Sequence, residues 1–230
     1  GDFVDVVVTI RPQVIAGAIT GDDEICYGED APVISNVVNG SGGDGIIEYL
    51  WYYTEDMAAA PGDPGWTEIT GATGTSYDPG ILFATTQFVR KANDGSCPDE
   101  VYTNPVTITV NPLPVTSPIS GESLLCVGAI NKIYQVTNTP GSTYNWSLPP
   151  ALTLLSPQGL NFIIIEATAP TNPGDVITVT ETLSSSTGCV GIPVEFPITV
   201  VEKVPGFVVS GPLNVCQGDS GVIYSVPWNE

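Results

Sequence analysis

Three short stretches of the chain are copies of one another, and this repetition limits the fold more than any other feature. Ile19-Thr20-Gly21 with Cys26-Tyr27-Gly28, Ile119-Ser120-Gly121 with Cys126-Val127-Gly128, and Val209-Ser210-Gly211 with Cys216-Gln217-Gly218 fall into register at offsets of 100 and 90 residues. The runs 6–12 (VVVTIRP), 106–112 (VTITVNP) and 196–202 (FPITVVE) recur in the same register. A tandem array follows. Residues 1–12 read as the last strand of a preceding repeat, 13–113 as a first full repeat, 114–203 as a second, and 204–230 as the start of a further one. Repeats of this length are of ordinary domain size. Each has its neighbours in the same, longer chain as its immediate partners.

Within each full repeat, short apolar runs alternate with turn clusters. The first predicts strands at 32–38, 46–53, 65–70, 75–77, 85–92 and 106–110, and the second at 132–136, 143–148, 152–155, 161–167, 175–183 and 196–201. Val106, Ile108 and Val110 face one way and Thr107 and Thr109 the other, the alternation of a strand with one buried face. Charged residues make up only 13% of the chain, and no stretch carries a sustained helical spacing. The alanine-rich run 57–60 is flanked by Pro61-Gly62 and Pro64-Gly65 and reads as a loop. The fold class is therefore all-β, a tandem of β-sandwiches. Three prolines within residues 111–118 keep the joint extended.

The cysteines sort by repeat: Cys26 and Cys97, then Cys126 and Cys189, then Cys216. With no histidine in the chain and spacings of 71 and 63 residues, they suit structural disulfides better than zinc. The expected bonds are Cys26 with Cys97 and Cys126 with Cys189, none crossing between repeats. Cys216 is left waiting for a partner about 63 residues further on. In each repeat a Cys, an aromatic strand bearing Trp51 or Trp146, and a second Cys follow the order of an immunoglobulin-like domain. The match is loose, because the first Cys precedes strand B and the second follows strand F. The bridges are expected to clamp one end of each sandwich, with Trp51 and Trp146 in the two cores.

The formal net charge is −20, of which −13 falls in 13–113 and −4 in 114–203. Five basic residues cannot form the clusters that nucleic acid or anionic lipid requires, so neither is an expected partner. No run of 18 apolar residues is present, and membrane insertion is not expected. Without histidine, the usual serine or cysteine triad is ruled out. The remaining acids cluster in turns, not on strands that line a cleft, and the chain reads as non-catalytic. No cofactor is expected. A calcium ion is the one alternative, at Asp22, Asp23 and Glu24, joined by Glu29 and Asp30 or by Asp99 and Glu100.

A family likeness rests on residues 42–51 (GGDGIIEYLW), 66–73 (WTEITGAT), 76–77 (SY), 85–92 (TTQFVRKA), Cys97 and 104–110 (NPVTITV). This half resembles the Ig-like repeats of very large surface proteins in gliding, type 9-secreting bacteria. Tyr52 stands where the family pattern has Gln, and Phe88-Val89 where it has a Tyr pair. The second repeat is similar to the PKD-like module, through Gly121, Cys126, Gly128, Tyr134, 144–146, Gly159, 161–165 and Cys189. The resemblance implies tandem immunoglobulin-like and PKD-like sandwiches in an extracellular, cell-surface setting, as stalk repeats of a large secreted adhesin, the gliding-motility adhesins being one such type. A surface polysaccharide or protein would then be bound through other regions. The alternatives it leaves are an accessory module of a secreted enzyme, or a carbohydrate-binding module with Trp66 and Tyr77 exposed as a stacking platform.

Overall fold

In a computed structural model, which describes residues 7–95, 100–184, 187–204, 206 and 208–226, the chain is all-β. The first sandwich consists of β1 (Ala18–Thr20), β2 (Asp23–Cys26), β3 (Ser35–Val38), β4 (Glu48–Thr54), β5 (Thr67–Glu68), β6 (Thr86–Asn93), β7 (Val101–Tyr102) and β8 (Val106–Asn111). The second consists of β9 (Leu124–Cys126), β10 (Lys132–Gln135), β11 (Ser142–Ser147), β12 (Leu152–Leu154), β13 (Phe162–Ala167), β14 (Val176–Leu183), β15 (Val194–Pro197) and β16 (Thr199–Val201). Most strands predicted from the sequence appear with ends shifted by up to three residues, while β1, β2, β7 and β9 are not among those expected. The expected strand at 75–77 is reduced to a single bridge, Ile34 to Tyr77.

One sheet of the first sandwich runs β2-β8-β6-β4-β5, with β7 beside β6, and β1 pairs with β3. The second sandwich has β10-β13-β12 on one side, β11-β14-β15 on the other, and β9 paired with β16. In both, the strand bearing the tryptophan (β4, β11) lies next to a long strand (β6, β14), which in turn lies next to the closing strand, β8 in the first and β15, continued after Ile198 as β16, in the second. That is the C-F-G order of an immunoglobulin-like sandwich, and β10-β13-β12 is its B-E-D partner sheet. In both, too, the opening strand runs parallel to the closing one, β2 along β8 and β9 along β16.

Alternation decides which face is inside. In β13, Ile163 and Ile165 are fully buried while Phe162 and Ile164 are half-buried, so the apolar run is covered on its inner face and partly covered on its outer one. The second core is one apolar cluster around Tyr134, Trp146, Ile163, Ile165, Ile177 and Val179. The first is split: Trp51, Ile34, Phe88, Val106 and Ile108 form one cluster, and Val14, Ala16 and Ala92 a smaller one.

Two compact units result. One holds Gly1–Thr116 with Thr139–Thr143 and Thr180–Ile192, and the other Ser117–Asn138, Tyr144–Val179 and Pro193–Glu230. Residues 7–12 form no strand, and Val7, Val8 and Ile10 are exposed. The strand expected there has no sheet to join among the described residues. Residues 208–226 hold one bridge, Ser210 to Ser225, and otherwise stay open.

Candidate functional site

The repeated triplets build the same small structure three times. In each, the carbonyl of the cysteine accepts a hydrogen bond from the amide three residues on: from Glu29 at 3.0 Å, Ala129 at 3.0 Å and Asp219 at 3.1 Å. The glycine two residues after the cysteine takes φ of 81°, 86° and 102°, a left-handed conformation that explains why glycine recurs there. In the first and third copies the turn is closed a second time, as Cys26 N donates to Glu29 Oε2 and Cys216 N to Asp219 Oδ2, at 2.8 and 2.7 Å. The earlier glycine is fixed by packing. A Cβ on Gly121 would overlap the Tyr134 ring, and one on Gly211 the Tyr224 ring, while Gly21 lies against the backbone of Ile34.

Cys26 ends β2, and its sulfur is bonded to that of Cys189, with the Cα atoms 5.5 Å apart and 163 residues between them in sequence. This corrects the expected pairing. Cys189 is not bonded to Cys126, Cys26 is not bonded to Cys97, and a bond does join two sequence repeats. Cys97 itself lies outside the described residues. The reason is topological. Because β9 runs parallel to β16, Cys126 lies beside Val201, at the far end of the closing strand. Cys189 precedes that strand, which enters at Val194, and about eight extended residues cover ~25 Å. A disulfide needs Cα atoms within about 7 Å. Cys126 is accordingly a free, exposed thiol, as is Cys216.

Residues around the bond reinforce it within the same compact unit. Asn111 Nδ2 donates to Thr187 Oγ1 at 3.3 Å, and Thr187 Oγ1 lies 3.3 Å from Cys189 Sγ. Thr116 Oγ1 donates to the buried Glu181 at 3.0 Å, and Gly191 N donates to the Glu181 carbonyl at 2.8 Å. A Cβ on Gly191 would press against Pro114.

Asp22, Asp23 and Glu24 line an open groove of about 460 Å3 with Thr107, Thr109 and Thr187. The carboxylates are directed to separate tasks. Asp22 accepts from Thr107 N at 2.7 Å, and Asp23 from Glu24 N at 2.9 Å. Glu24 reaches Asn111 Nδ2 at 3.5 Å, and Glu29 caps its own turn. Among the described residues no three metal-binding side chains gather to hold an ion. Asp99 lies outside them. Glu100 is taken by Lys91 and by the Tyr102 hydroxyl, which together hold its carboxyl below the usual range.

Trp51 and Trp146 are both buried, and each indole N–H donates to a carbonyl, Gly74 at 2.8 Å and Leu160 at 2.9 Å. A buried indole N–H must find such an acceptor. Trp66 is buried as well, donating to the Ala60 carbonyl at 2.8 Å from the alanine-rich loop. Tyr77 packs on Trp51 and Phe88, with centroids 5.4 and 5.7 Å away. These two rings do not form the stacking platform that carbohydrate binding would need.

The residue that sequence reasoning missed is Arg90. It is fully buried on β6, and its guanidinium donates to Asn36 Oδ1 and the Thr75 carbonyl at 2.6 Å each, and to the Ala16 and Val38 carbonyls at 3.0 and 3.1 Å. The Tyr49 ring lies 4.3 Å from its central carbon. Burial pulls its pKa below the usual value. Only its place between the apolar Phe88-Val89 and Ala92, on the same face as Phe88 and Ala92, hinted that it faces inward.

The profile of a domain of unknown function (DUF8696) matches residues 15–112, and that of a PKD-like domain matches residues 112–190. No curated protein matches the chain. Among solved structures, it is 12% identical to Sidekick-1 immunoglobulin domains 1-4, over 87% of this chain and 51% of that one, with a TM-score of 0.35. It is also 12% identical to human Protocadherin-24 EC1-2, over 86% of this chain and 100% of that one, with a TM-score of 0.34. The chain spans about half the length of the Sidekick-1 structure. Likeness at that level adds nothing to the fold, which rests on the strand order. The chain is a tandem of immunoglobulin-like and PKD-like β-sandwiches, with the PKD-like profile covering most of the second.

Proposed function

We propose that these are non-catalytic stalk modules of a large, secreted cell-surface adhesin of the gliding-motility type, which hold a distal binding region away from the cell. The observation that carries this reading is the Cys26–Cys189 bond, which ties one sequence repeat to the next across 163 residues. A link of that kind suits a chain that must bear load, because tension applied at the ends bypasses everything between the two cysteines. Structural disulfides persist where the surroundings are oxidising, in keeping with an extracellular site. The burial of Trp66 weighs against the carbohydrate-binding alternative.

The test is deletion of residues 13–203 from the parent protein in its own cells. Display of the distal region should persist while adhesion under flow falls sharply. Intact adhesion together with loss of a secreted hydrolytic activity would overturn the stalk reading in favour of an enzyme accessory.

A further inference from the structure

Cys126 is the structural copy of Cys26. Each ends a strand that runs parallel to the closing strand of its own sandwich: Cys26 is paired with Asn111 and Cys126 with Val201. The next residue donates its amide to the carbonyl of the same partner, Tyr27 to Asn111 and Val127 to Val201, both at 2.9 Å. The turn and the left-handed glycine that follow are the same, as described above. Cys26 is bonded, to a cysteine that follows the long penultimate strand of the next repeat. Cys126 is exposed and free, with Cys189 already taken.

Residues 208–226 supply the beginning of the next copy. Ser210 pairs with Ser225 as Ser120 pairs with Gln135 and Thr20 with Ser35, the same spacing of 15 residues each time. Tyr224 lies on Gly211 as Tyr134 lies on Gly121, and its hydroxyl donates to the Pro212 carbonyl at 3.0 Å. Residues 208–226 thus already have the opening geometry of a sandwich.

We propose that Cys126 is the attachment point for a disulfide from that next module, so that each opening-turn cysteine is bonded to the late cysteine of the module after it. The partner thiol is expected about 63 residues beyond Cys216, the spacing of Cys189 from Cys126. The step is a thiol–disulfide exchange. One of the two thiolates attacks a protein disulfide of the thiol-oxidase class, forming a mixed disulfide. The second thiolate then displaces the donor, which leaves as a dithiol carrying the two electrons, while the two protons of the joined thiols pass to solvent and the donor. The bond would make the array a covalent ladder, in which no module is held only by its backbone. The inference rests on the internal copies and not on what the stalk carries.

The test has two parts. In the 230-residue chain under non-reducing, native conditions, iodoacetamide should label Cys126 and leave Cys26 and Cys189 unlabelled. In the parent protein isolated from its own cells with thiols blocked at lysis, peptide mapping should find Cys126 joined to a cysteine C-terminal to Cys216, and C126S should abolish that one cross-linked peptide. Cys126 recovered as a blocked free thiol from the parent protein, or joined to Cys97 or Cys216, overturns the proposal. A failed labelling of Cys126 in the isolated chain through a bond to either of those residues does the same.

Discussion

Trp51 and Trp146 occupy corresponding strands, β4 and β11, and make corresponding hydrogen bonds, yet the cores around them are assembled differently. In the second sandwich the tryptophan belongs to a single apolar cluster that includes Tyr134, Tyr144 and four fully buried β-branched residues, Ile163, Ile165, Ile177 and Val179. In the first, the apolar residues are divided into two groups, and between strands and loops runs the Arg90 guanidinium, with five of its contacts made to neutral partners. One topology is thus held by hydrocarbon in one module and by a polar bolt in the other. A buried cation without a carboxylate costs desolvation, and it is tolerable here because carbonyl dipoles and an aromatic face replace water. What it provides is specificity, since only one arrangement of β1, β3 and the 75–77 segment brings four acceptors to its two terminal nitrogens, while Nε stays buried without a partner.

The largest test of this contrast leaves both cores alone. Cys189→Ser removes the bond that closes 163 residues of chain, and in chain-entropy terms such a loop is worth up to about 5 kcal/mol. Chemical denaturation should show the loss in the compact unit that contains Cys26, with little change in the unit built on Trp146. An equal loss in both would mean that they unfold as one. Next, Trp51→Ala and Trp146→Ala should each cost ~3–5 kcal/mol, each lowering the transition of its own unit. If either ring were open to an aqueous quencher in the folded chain, the equivalence of the two positions would be lost.

Arg90→Met separates the modules more sharply. It leaves the carbonyls of Ala16, Thr75 and Val38 without their donor and should destabilise the first unit by about 3 kcal/mol. Arg90→Lys should recover only part of this, because an ammonium cannot reach acceptors spread around a planar fork. Stability equal to the wild type in the methionine variant would show that the bolt contributes nothing and that the first core is apolar in practice. The smallest effect is local. Gly121→Ala must displace the Tyr134 ring and should cost ~1–3 kcal/mol in the second unit. Gly45→Ala meets no atom, so any loss there comes from its φ of 91° alone. Should the two substitutions cost the same, the close approach of Tyr134 to the repeated glycine is not what keeps that residue in place.

Strand type and both core tryptophans were legible in the sequence because they are local or periodic: alternation along a strand, an aromatic in an apolar run. The disulfide was not. Spacing alone favoured Cys126 with Cys189, but spacing says nothing about which end of a sandwich a residue reaches. That depends on β9 running parallel to β16, a pairing between strands more than 70 residues apart. Arg90 was hidden for a related reason, since a basic residue beside another on a strand reads as solvated until the strand is found to be covered on both faces. Asp22, Asp23 and Glu24 do share a groove, as their adjacency suggested, but the sequence did not show that each carboxylate accepts from a different donor there.

The separation of Cys26 from Cys189 also sets an order of events during biosynthesis. A ribosome adds about 5–20 residues per second, so Cys26 exists for roughly 8–30 s before Cys189 is made. Cys97 and Cys126 are both synthesised inside that interval. By then β8 is complete, and its parallel pairing with β2 can already fix Cys26 at the end of a formed sheet. Early closure of that ladder would therefore hold the first thiol in position until its late partner has been made and the chain reaches the oxidising surroundings in which the bond forms.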